Sequence, residues 1–474
     1  MTDVYSLPDM SSSVENNLYA DNPKTELVII GLGKIGSNLV KNLIKNTSYK
    51  INIYDSNKNK TEEVFNLINN KKRLKAPSKI DEIFNSKTTK KIIFILVPSG
   101  KKSISLHRKI KKLVDFQDVT LNCCNENYKD SNLLALEFKK SKRDYLSVGI
   151  SGGTYGARNG LAIMVGGPRK AYQNLLPIFK KIAATKYSVN YFGEMGVGHL
   201  VKVLHNYLEY AEMQLLVEKI IFLRLCVQMN WKQIHNLLVQ NSKTISQSYL
   251  LQLTVGIIKR ISDDPEFYKN LLPFVTHNNT GLWGLTESIE SESFVPTLQS
   301  GVMNRVWLKN MKALFNNKKN PSNSSVNPNV NFYLKTINQT YYFSRLALMM
   351  QFTDLVDDVN KKNKISIDLN LLEENWRSGA IVSSKLISKL STINIAKTKL
   401  CDQRQTLRQI YKTFTNTFNL SNKCACPLVC TYSSYIYLTY SSTRDTNSRI
   451  LALQRNQFGE HPLPLGKYAS TGKQ

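Results

Sequence analysis

The stretch GHLVKVLHNYLEYAEMQ, residues 198–214, carries Lys202, His205, Asn206 and Glu209 at spacings of i, i+3, i+4 and i+7. In a helix those four positions share one face. The other positions are mostly apolar: Val201, Val203, Leu204, Leu208 and Met213. An ammonium, an imidazole, an amide and a carboxylate thus lie on one stripe of a helix with a strong apolar pattern. Lys202 and Glu209 are about 10 Å apart along the axis at 1.5 Å per residue, beyond the reach of an i, i+4 ion pair. The spacing suits two charged groups that meet one ligand from opposite ends, with His205 and Asn206 as hydrogen-bonders between them. The competing reading is a solvated polar face on which His205 and Glu209 pair at i, i+4.

A second set of residues points to an anion site. Gly31, Gly33 and Gly36 form G-x-G-x-x-G between the apolar run ELVII and the helical pattern that follows. The first glycine permits a tight turn, the second lets a pyrophosphate approach the backbone, and the third allows close helix–strand packing. The anion then meets free N–H groups at a helix N-terminus. Asp55 ends the next strand, nineteen residues after Gly36. An acid there binds the ribose hydroxyls of NAD and repels the 2′-phosphate of NADP. Ser56 follows it where an arginine would serve that phosphate, and Lys58 and Lys60 are nearby. A third segment, SGGTYGARNG at 151–160, places small residues after another strand, at the sheet edge where ligands bind in doubly wound folds.

These groups need a frame. ELVIIG, YKINIYD, KKIIFILVPSG and FQDVTLNCCN read as strands with helical stretches between them. Such alternation predicts a parallel, doubly wound α/β sheet, continuing through 144–167 to about residue 196. Beyond 197 long helical patterns dominate: 198–228, 231–260, 282–315, 331–360, 366–392 and 401–420. Residues 316–331 form a polar, proline-interrupted loop within that part. The expected architecture is an N-terminal Rossmann-like domain over 25–196, an all-α domain over 197–445, and an irregular C-terminal tail over 446–474 that contains Pro462, Pro464 and Gly466. Residues 1–24 are expected to be a mobile tail. They lack the layout of a signal or transit peptide, so a cytoplasmic protein is expected.

The totals agree with a multidomain globular chain. It has 474 residues, 42% hydrophobic, and no apolar run long enough to span a bilayer. The formal charge of +29 favours anionic partners. Lysine is spread through the chain beside asparagine and isoleucine, and no nucleic-acid-binding motif is present, so no nucleic acid and no membrane partner is expected. Seven cysteines without a secretory signal argue against a disulfide framework. Cys424, Cys426 and Cys430 read as small buried thiols at a helix-to-helix turn, and no metal is expected.

The segment GHLVKVLHNYLEYAEMQ resembles the catalytic helix of the 6-phosphogluconate dehydrogenase (decarboxylating) family. GISGGTYGARNGLAIMVGG resembles that family's substrate loop, and NWRSGAIV and LQRNQFGEHPL its later helical and tail motifs. The similarity runs from about residue 26 to 465. It implies oxidative decarboxylation of 6-phosphogluconate to ribulose 5-phosphate, a step of the pentose phosphate pathway, with NADP or NAD as cofactor. It implies Lys202 as general base and acid and Glu209 as second acid. Asn125, Ser151, Gly152, Gly153, His205 and Asn206 would hold the sugar acid. Tyr210, Thr280 and Arg305, with Arg455 and His461 from the tail, would hold its phosphate. Cofactor contacts would come from Gly31, Gly33, Gly36, Asp55, Ser56, Asn57, Val97 and Asn125. In the family the tail enters the other subunit's site, so a homodimer is implied.

Three positions depart from the family pattern. Asp55-Ser56-Asn57 stands where Asn-Arg-Thr is usual, Asn122-Cys123-Cys124-Asn125 replaces Asp-Gly-Gly-Asn, and Asn278 replaces a phosphate-binding lysine. The departures leave a second reading, a paralogue that binds ligand or partner without turnover. A third is a related 3-hydroxy acid dehydrogenase with another substrate.

Overall fold

The structure is a computed structural model that describes residues 24–68, 71–86, 88–271, 275, 279–310, 329–402, 404–439 and 444–459. Asn278, His461 and the N-terminal stretch up to residue 23 lie outside the described residues. Eight strands form one sheet: β1 (Thr25–Ile30), β2 (Lys50–Tyr54), β3 (Leu74–Lys75), β4 (Lys90–Ile95), β5 (Val119–Asn122), β6 (Asp144–Ser151), β7 (Ala162–Gly166) and β8 (Val189–Gly193). Their order is β3-β2-β1-β4-β5-β6-β7-β8. Six helices join them: α1 (Lys34–Asn46), α2 (Lys58–Asn66), α3 (Lys101–Leu113), α4 (Tyr128–Lys140), α5 (Gly153–Asn159) and α6 (Arg169–Ile182).

The apolar strands are buried on both faces. Leu27 and Ile29 point into one core with Ile51 and Ile53, while Val28 and Ile30 point into the other with Ile93 and Ile95. Near-continuous apolar runs in place of strict alternation are what a doubly covered sheet requires. One expectation needs correcting. The sheet is not wholly parallel, because β7 runs antiparallel to β6. The short α5 between them reverses the chain, where a full crossover helix would have carried it back to the other end.

After the sheet comes α7 (Val197–Leu225), which is buried along most of its length. It lies against β6 and β7 at a contact that only glycine allows. A Cβ on Gly149 would stand 2.6 Å from both Lys202 Cβ and the Gly198 carbonyl oxygen. A Cβ on Gly166 would meet the Gly198 nitrogen at 2.5 Å, and one on Gly198 the Ser147 carbonyl at 2.3 Å. The sheet edge and the start of α7 therefore touch backbone to backbone.

The helical part continues with α8 (Trp231–Asn241), α9 (Tyr249–Asp263), α10 (Pro265–Lys269), α11 (Thr280–Glu290), α12 (Pro296–Asn310), α13 (Val330–Asn363), α14 (Leu369–Trp376), α15 (Leu390–Asp402), α16 (Arg404–Lys423), α17 (Val429–Thr439) and α18 (Arg444–Gly459). Three expected helices are interrupted: the 366–392 pattern leaves the helix after α14 and resumes only toward α15, and the other two are each a pair. The 231–260 pattern breaks between α8 and α9, where Ser248 caps α9 by accepting from the Leu251 N–H. The 282–315 pattern breaks between α11 and α12. Of the stretch expected to be an irregular tail, residues up to Gly459 are helical.

α7 is the axis of the helical part. Arg345 of α13 donates three guanidinium hydrogen bonds of 2.8–3.1 Å to Glu212, and both side chains are buried. Glu218 accepts from the Cys430 and Thr431 N–H groups at 2.9 Å, which caps α17. Cys426 in the α16–α17 turn and Cys430 on α17 are buried as small core residues, whereas Cys424, expected to be buried with them, is half-buried.

Candidate active site

A cavity of about 1360 Å³ runs along the carboxyl edge of the sheet to α7. At one end lies the glycine turn. Gly31 has φ +98°, and a Cβ there would meet the Leu96 carbonyl oxygen at 2.6 Å. A Cβ on Gly36 would lie 1.9 Å from the Gly31 oxygen. Gly33 differs: no atom lies within 4 Å of its ideal Cβ, and it is the N-cap of α1 with no side-chain cap. The turn is closed by packing at Gly31 and Gly36 and open at Gly33. That is the shape for an anion on the helix N-terminus.

Asp55 is anchored to this turn. Its carboxylate accepts from the Leu32 N–H at 2.8 Å and the Asn57 N–H at 2.9 Å. Each oxygen keeps a lone pair for a further donor. Ser56, Asn57, Lys60 and Lys34 share this end of the cavity, while Val97, Asn125 and Cys123 line its middle. The residues fit a dinucleotide: a phosphate cradle, a ribose acceptor beside it, and an apolar middle.

The two added cysteines diverge. Cys123 packs on one face of the sheet and Cys124 on the other. Cys124 is tied to Ser103 Oγ at 3.7 Å and to the Ile95 carbonyl oxygen at 3.5 Å. Burial holds both thiols above their ordinary range, Cys124 at about 12, so neither is a thiolate at neutral pH.

The other end of the cavity is walled by the helical stripe. Lys202, Asn206, Glu209 and Tyr210 of α7 line it, opposite Ser151, Gly152 and Gly153, with Thr280 and Arg305 at its far side. Lys202, His205 and Asn206 are buried and Glu209 is half-buried on the cavity, so the solvated-face reading fails, although His205 Nδ1 does lie 3.7 Å from Glu209 Oε2. Burial is the largest effect on Lys202, His205 and Glu209. It lowers Lys202 to about 8 against the opposing pull of Glu209. It raises the Glu209 carboxyl, against the Lys202 and Arg305 charges. It holds His205 well below its ordinary value, helped by Lys202.

His205 is the one residue of the stripe that does not line the cavity. Its ring is fully buried, edge-on to Trp376 at 5.3 Å. Its Nδ1 lies 3.1 Å from Asn206 Oδ1 and 3.4 Å from Lys202 Nζ, and its Nε2 2.9 Å from Ser151 Oγ. The ring thus sits behind the cavity wall, where it supports Asn206 and Ser151. With Nδ1–H donating to Asn206, Nε2 accepts from the Ser151 hydroxyl.

The NWRSGAIV segment supports the same loop. The Ile381 N–H donates to Ser151 Oγ at 3.1 Å. Asn375 Nδ2 donates to the Ile163 carbonyl oxygen and to Asn190 Oδ1, both at 2.9 Å. Ile381 also lines the cavity. Sequence reasoning quoted this segment only as a resemblance and did not find its contacts. At the far side of the cavity, the Arg305 guanidinium stacks 3.6 Å over the Tyr210 ring, and Tyr210 Oη lies 3.5 Å from Thr280 Oγ1. Arg455 is exposed on α18 and is not among the residues lining this chain's cavity.

The model of the 6-phosphogluconate dehydrogenase C-terminal domain matches residues 198–468, and that of the family's NAD-binding domain matches 26–193. The chain belongs to the 6-phosphogluconate dehydrogenase family. Curated relatives include the decarboxylating 6-phosphogluconate dehydrogenases of Buchnera aphidicola, 25% identical over 92% of this chain and 95% of its own length, and of Lactococcus lactis, 24% identical over 91% and 94%. In fold the chain is similar to the Plasmodium falciparum 6-phosphogluconate dehydrogenase, with a TM-score of 0.80 at 22% identity, covering 92% of this chain and 97% of that one. The two family models meet where β8 gives way to α7.

Proposed function

We propose that the chain oxidises and decarboxylates 6-phosphogluconate to ribulose 5-phosphate, with Lys202 and Glu209 as its proton-transfer groups. The observation that carries this reading is the helical stripe: a lysine lowered to about 8 and a carboxyl raised above its ordinary range, both by burial, in one cavity wall beside the Ser151–Gly153 loop. A base is most effective when its pKa lies near the working pH. When bound, the nicotinamide accepts the hydride from C3 of the sugar acid.

Neutral Lys202 takes the proton of the C3 hydroxyl as that hydride leaves. The product is a 3-keto acid. Its C1–C2 bond breaks with release of CO₂, and the electron pair moves through C2 onto the C3 oxygen, where the Lys202 ammonium supplies a proton. Glu209 then protonates the carbon that carried the carboxylate while Lys202, neutral again, takes the enol proton back, which leaves the ketone of ribulose 5-phosphate. Asn206 and the Ser151–Gly153 loop orient the sugar acid. Arg305, Tyr210 and Thr280 hold its phosphate. A cavity whose acid and base both line its wall gives no support to the reading of a paralogue without turnover. The purified protein should reduce nicotinamide with 6-phosphogluconate and respond poorly to gluconate. Equal rates with both would remove the phosphate site from this account.

Asp55 supports NAD as the better cofactor relative to the family pattern, since it fixes a carboxylate at the glycine turn and Ser56 supplies no guanidinium. Asp55→Asn with Ser56→Arg should move preference toward NADP. Tighter NADP than NAD binding by the wild type would refute this and point to Lys34 or Lys60.

The proposed enzyme works as a homodimer in the cytoplasm. Among the described residues no helix is long and apolar enough to cross a membrane. On α18, Ile450, Leu451 and Leu453 are each more than half exposed, an apolar face that a second subunit would cover. Arg455 of the same helix would then reach the partner's phosphate site. Arg455→Ala should raise the Michaelis constant about tenfold or more, the effect of one charge-assisted hydrogen bond. Mixing Arg455→Ala with Lys202→Met subunits should restore one intact site per heterodimer. No recovery from folded, exchanged dimers would place the tail elsewhere.

A further inference from the structure

Behind the cavity wall lies a ring of buried polar side chains that the proposed chemistry does not use. Asn122 ends β5, Ser131 is on α4, Tyr145 on β6 and His199 on α7, and each is at most 2% exposed. Asn122 Nδ2 lies 2.8 Å from Tyr145 Oη, which lies 3.2 Å from Ser131 Oγ. Ser131 Oγ is 2.9 Å from His199 Nδ1, and His199 Nε2 is 2.9 Å from the Asn122 carbonyl oxygen. The circuit begins and ends on Asn122.

Its proton order is fixed at both ends. The Cys124 N–H donates to Asn122 Oδ1 at 3.0 Å, so the other amide atom is the nitrogen, which donates to Tyr145 Oη. The Asn122 carbonyl oxygen can only accept, so His199 Nε2 carries a proton. Tyr145 then donates to Ser131, and Ser131 to His199 Nδ1. Each hydroxyl has one proton, and each is used. The order requires a neutral imidazole. Burial supplies one, lowering His199 to about 3.

We propose that His199 is a positioning residue that sets the loop Cys123–Asn125 against Lys202. Its imidazole holds the carbonyl at which that loop begins. Asn125, three residues further on, lines the cavity. On α7, Lys202 follows His199 by three residues, just under one turn. The strand end carrying the loop and the helix carrying the base are thereby joined directly by the Nε2 bond to the Asn122 carbonyl oxygen, and the Nδ1 bond to Ser131 of α4 returns the connection to Asn122 through Tyr145. A shift of either element would leave buried donors and acceptors unpaired, so the two keep one relative position.

The kinetic arm of the test rests on the proposed function; the exchange arm does not. His199→Leu removes both bonds at similar volume. In His199→Gln the amide can still donate to the Asn122 carbonyl and accept from Ser131. In ligand-free protein, His199→Leu should speed amide hydrogen exchange in the segment 122–125 by about ten- to hundredfold, the range expected for unpaired buried groups, while β1 and β2 exchange as in wild type. Turnover should fall by a comparable factor with the dinucleotide Michaelis constant unchanged, and His199→Gln should regain most of both. Should His199→Leu fail to fold, Ser131→Ala removes the donor to Nδ1 together with the acceptor of the Tyr145 hydroxyl, leaves the Nε2 bond to Asn122, and should move the same two readouts in the same direction. Wild-type exchange in His199→Leu, or equal losses in the Leu and Gln variants, would overturn the proposal. A wild type inactive on 6-phosphogluconate would sink the function and leave the exchange result standing.

Discussion

Lys202→Met should abolish turnover and yet make the protein more stable at neutral pH. Burial lowers Lys202 from an ordinary 10.5 to about 8, a cost to its charged form of about 3 kcal/mol. That cost has a catalytic return: roughly one Lys202 in ten is neutral at pH 7, against about three in ten thousand for an ordinary lysine. The sign of the linkage follows from proton counts. Between about 8 and 10.5 the unfolded chain binds a proton that the folded chain has released, so stability rises with pH across that window. Below it both states are protonated, and the full cost is present. Methionine carries no charge to bury, so its advantage should be largest near pH 7 and shrink toward about pH 9.5. Glu209 loses an attractive neighbour in the variant, which makes about 3 kcal/mol an upper bound. Thermal unfolding of both proteins at the two pH values, with cofactor reduction assayed on the same samples, checks this. A variant less stable than wild type at pH 7, or one that retains turnover, would refute the reasoning.

Two glycines should behave oppositely. Gly149→Ala places a Cβ 2.6 Å from Lys202 Cβ and the Gly198 carbonyl oxygen; it should cost about 1–3 kcal/mol of stability by overpacking and slow turnover more than tenfold, measured by denaturant titration and steady-state kinetics. Gly33→Ala meets nothing within 4 Å; it should change stability by less than about 1 kcal/mol, as at other helix caps, while weakening dinucleotide binding in a calorimetric titration, because its methyl occupies the open cradle.

Much of this was legible in the sequence, for reasons that differ by residue. Gly31 and Gly36 were readable because their turn admits no side chain, and the stripe from Lys202 to Glu209 because helical spacing fixes a shared face. Burial of that stripe was not readable from periodicity. It depends on Gly149, Gly166 and Gly198, which let α7 approach the sheet and which look like ordinary turn glycines in sequence. The reversal of β7 was hidden because strand direction leaves no mark on an apolar run. The break between α8 and α9 has neither glycine nor proline, and its signal was Ser248 as a cap. The helix α18 was obscured by the prolines that follow it. His205 was placed in the wall because periodicity gives the face but not the depth of a side chain.

In the proposed mechanism one helical stripe carries both the oxidation and the decarboxylation. This coupling is tested most directly by the stoichiometry of a single reaction. The purified wild-type protein, given 6-phosphogluconate labelled at the carboxyl carbon and either nicotinamide dinucleotide, should release one labelled CO₂ for each reduced cofactor. Hydride transfer without matching CO₂, or no turnover with either cofactor, would contradict it.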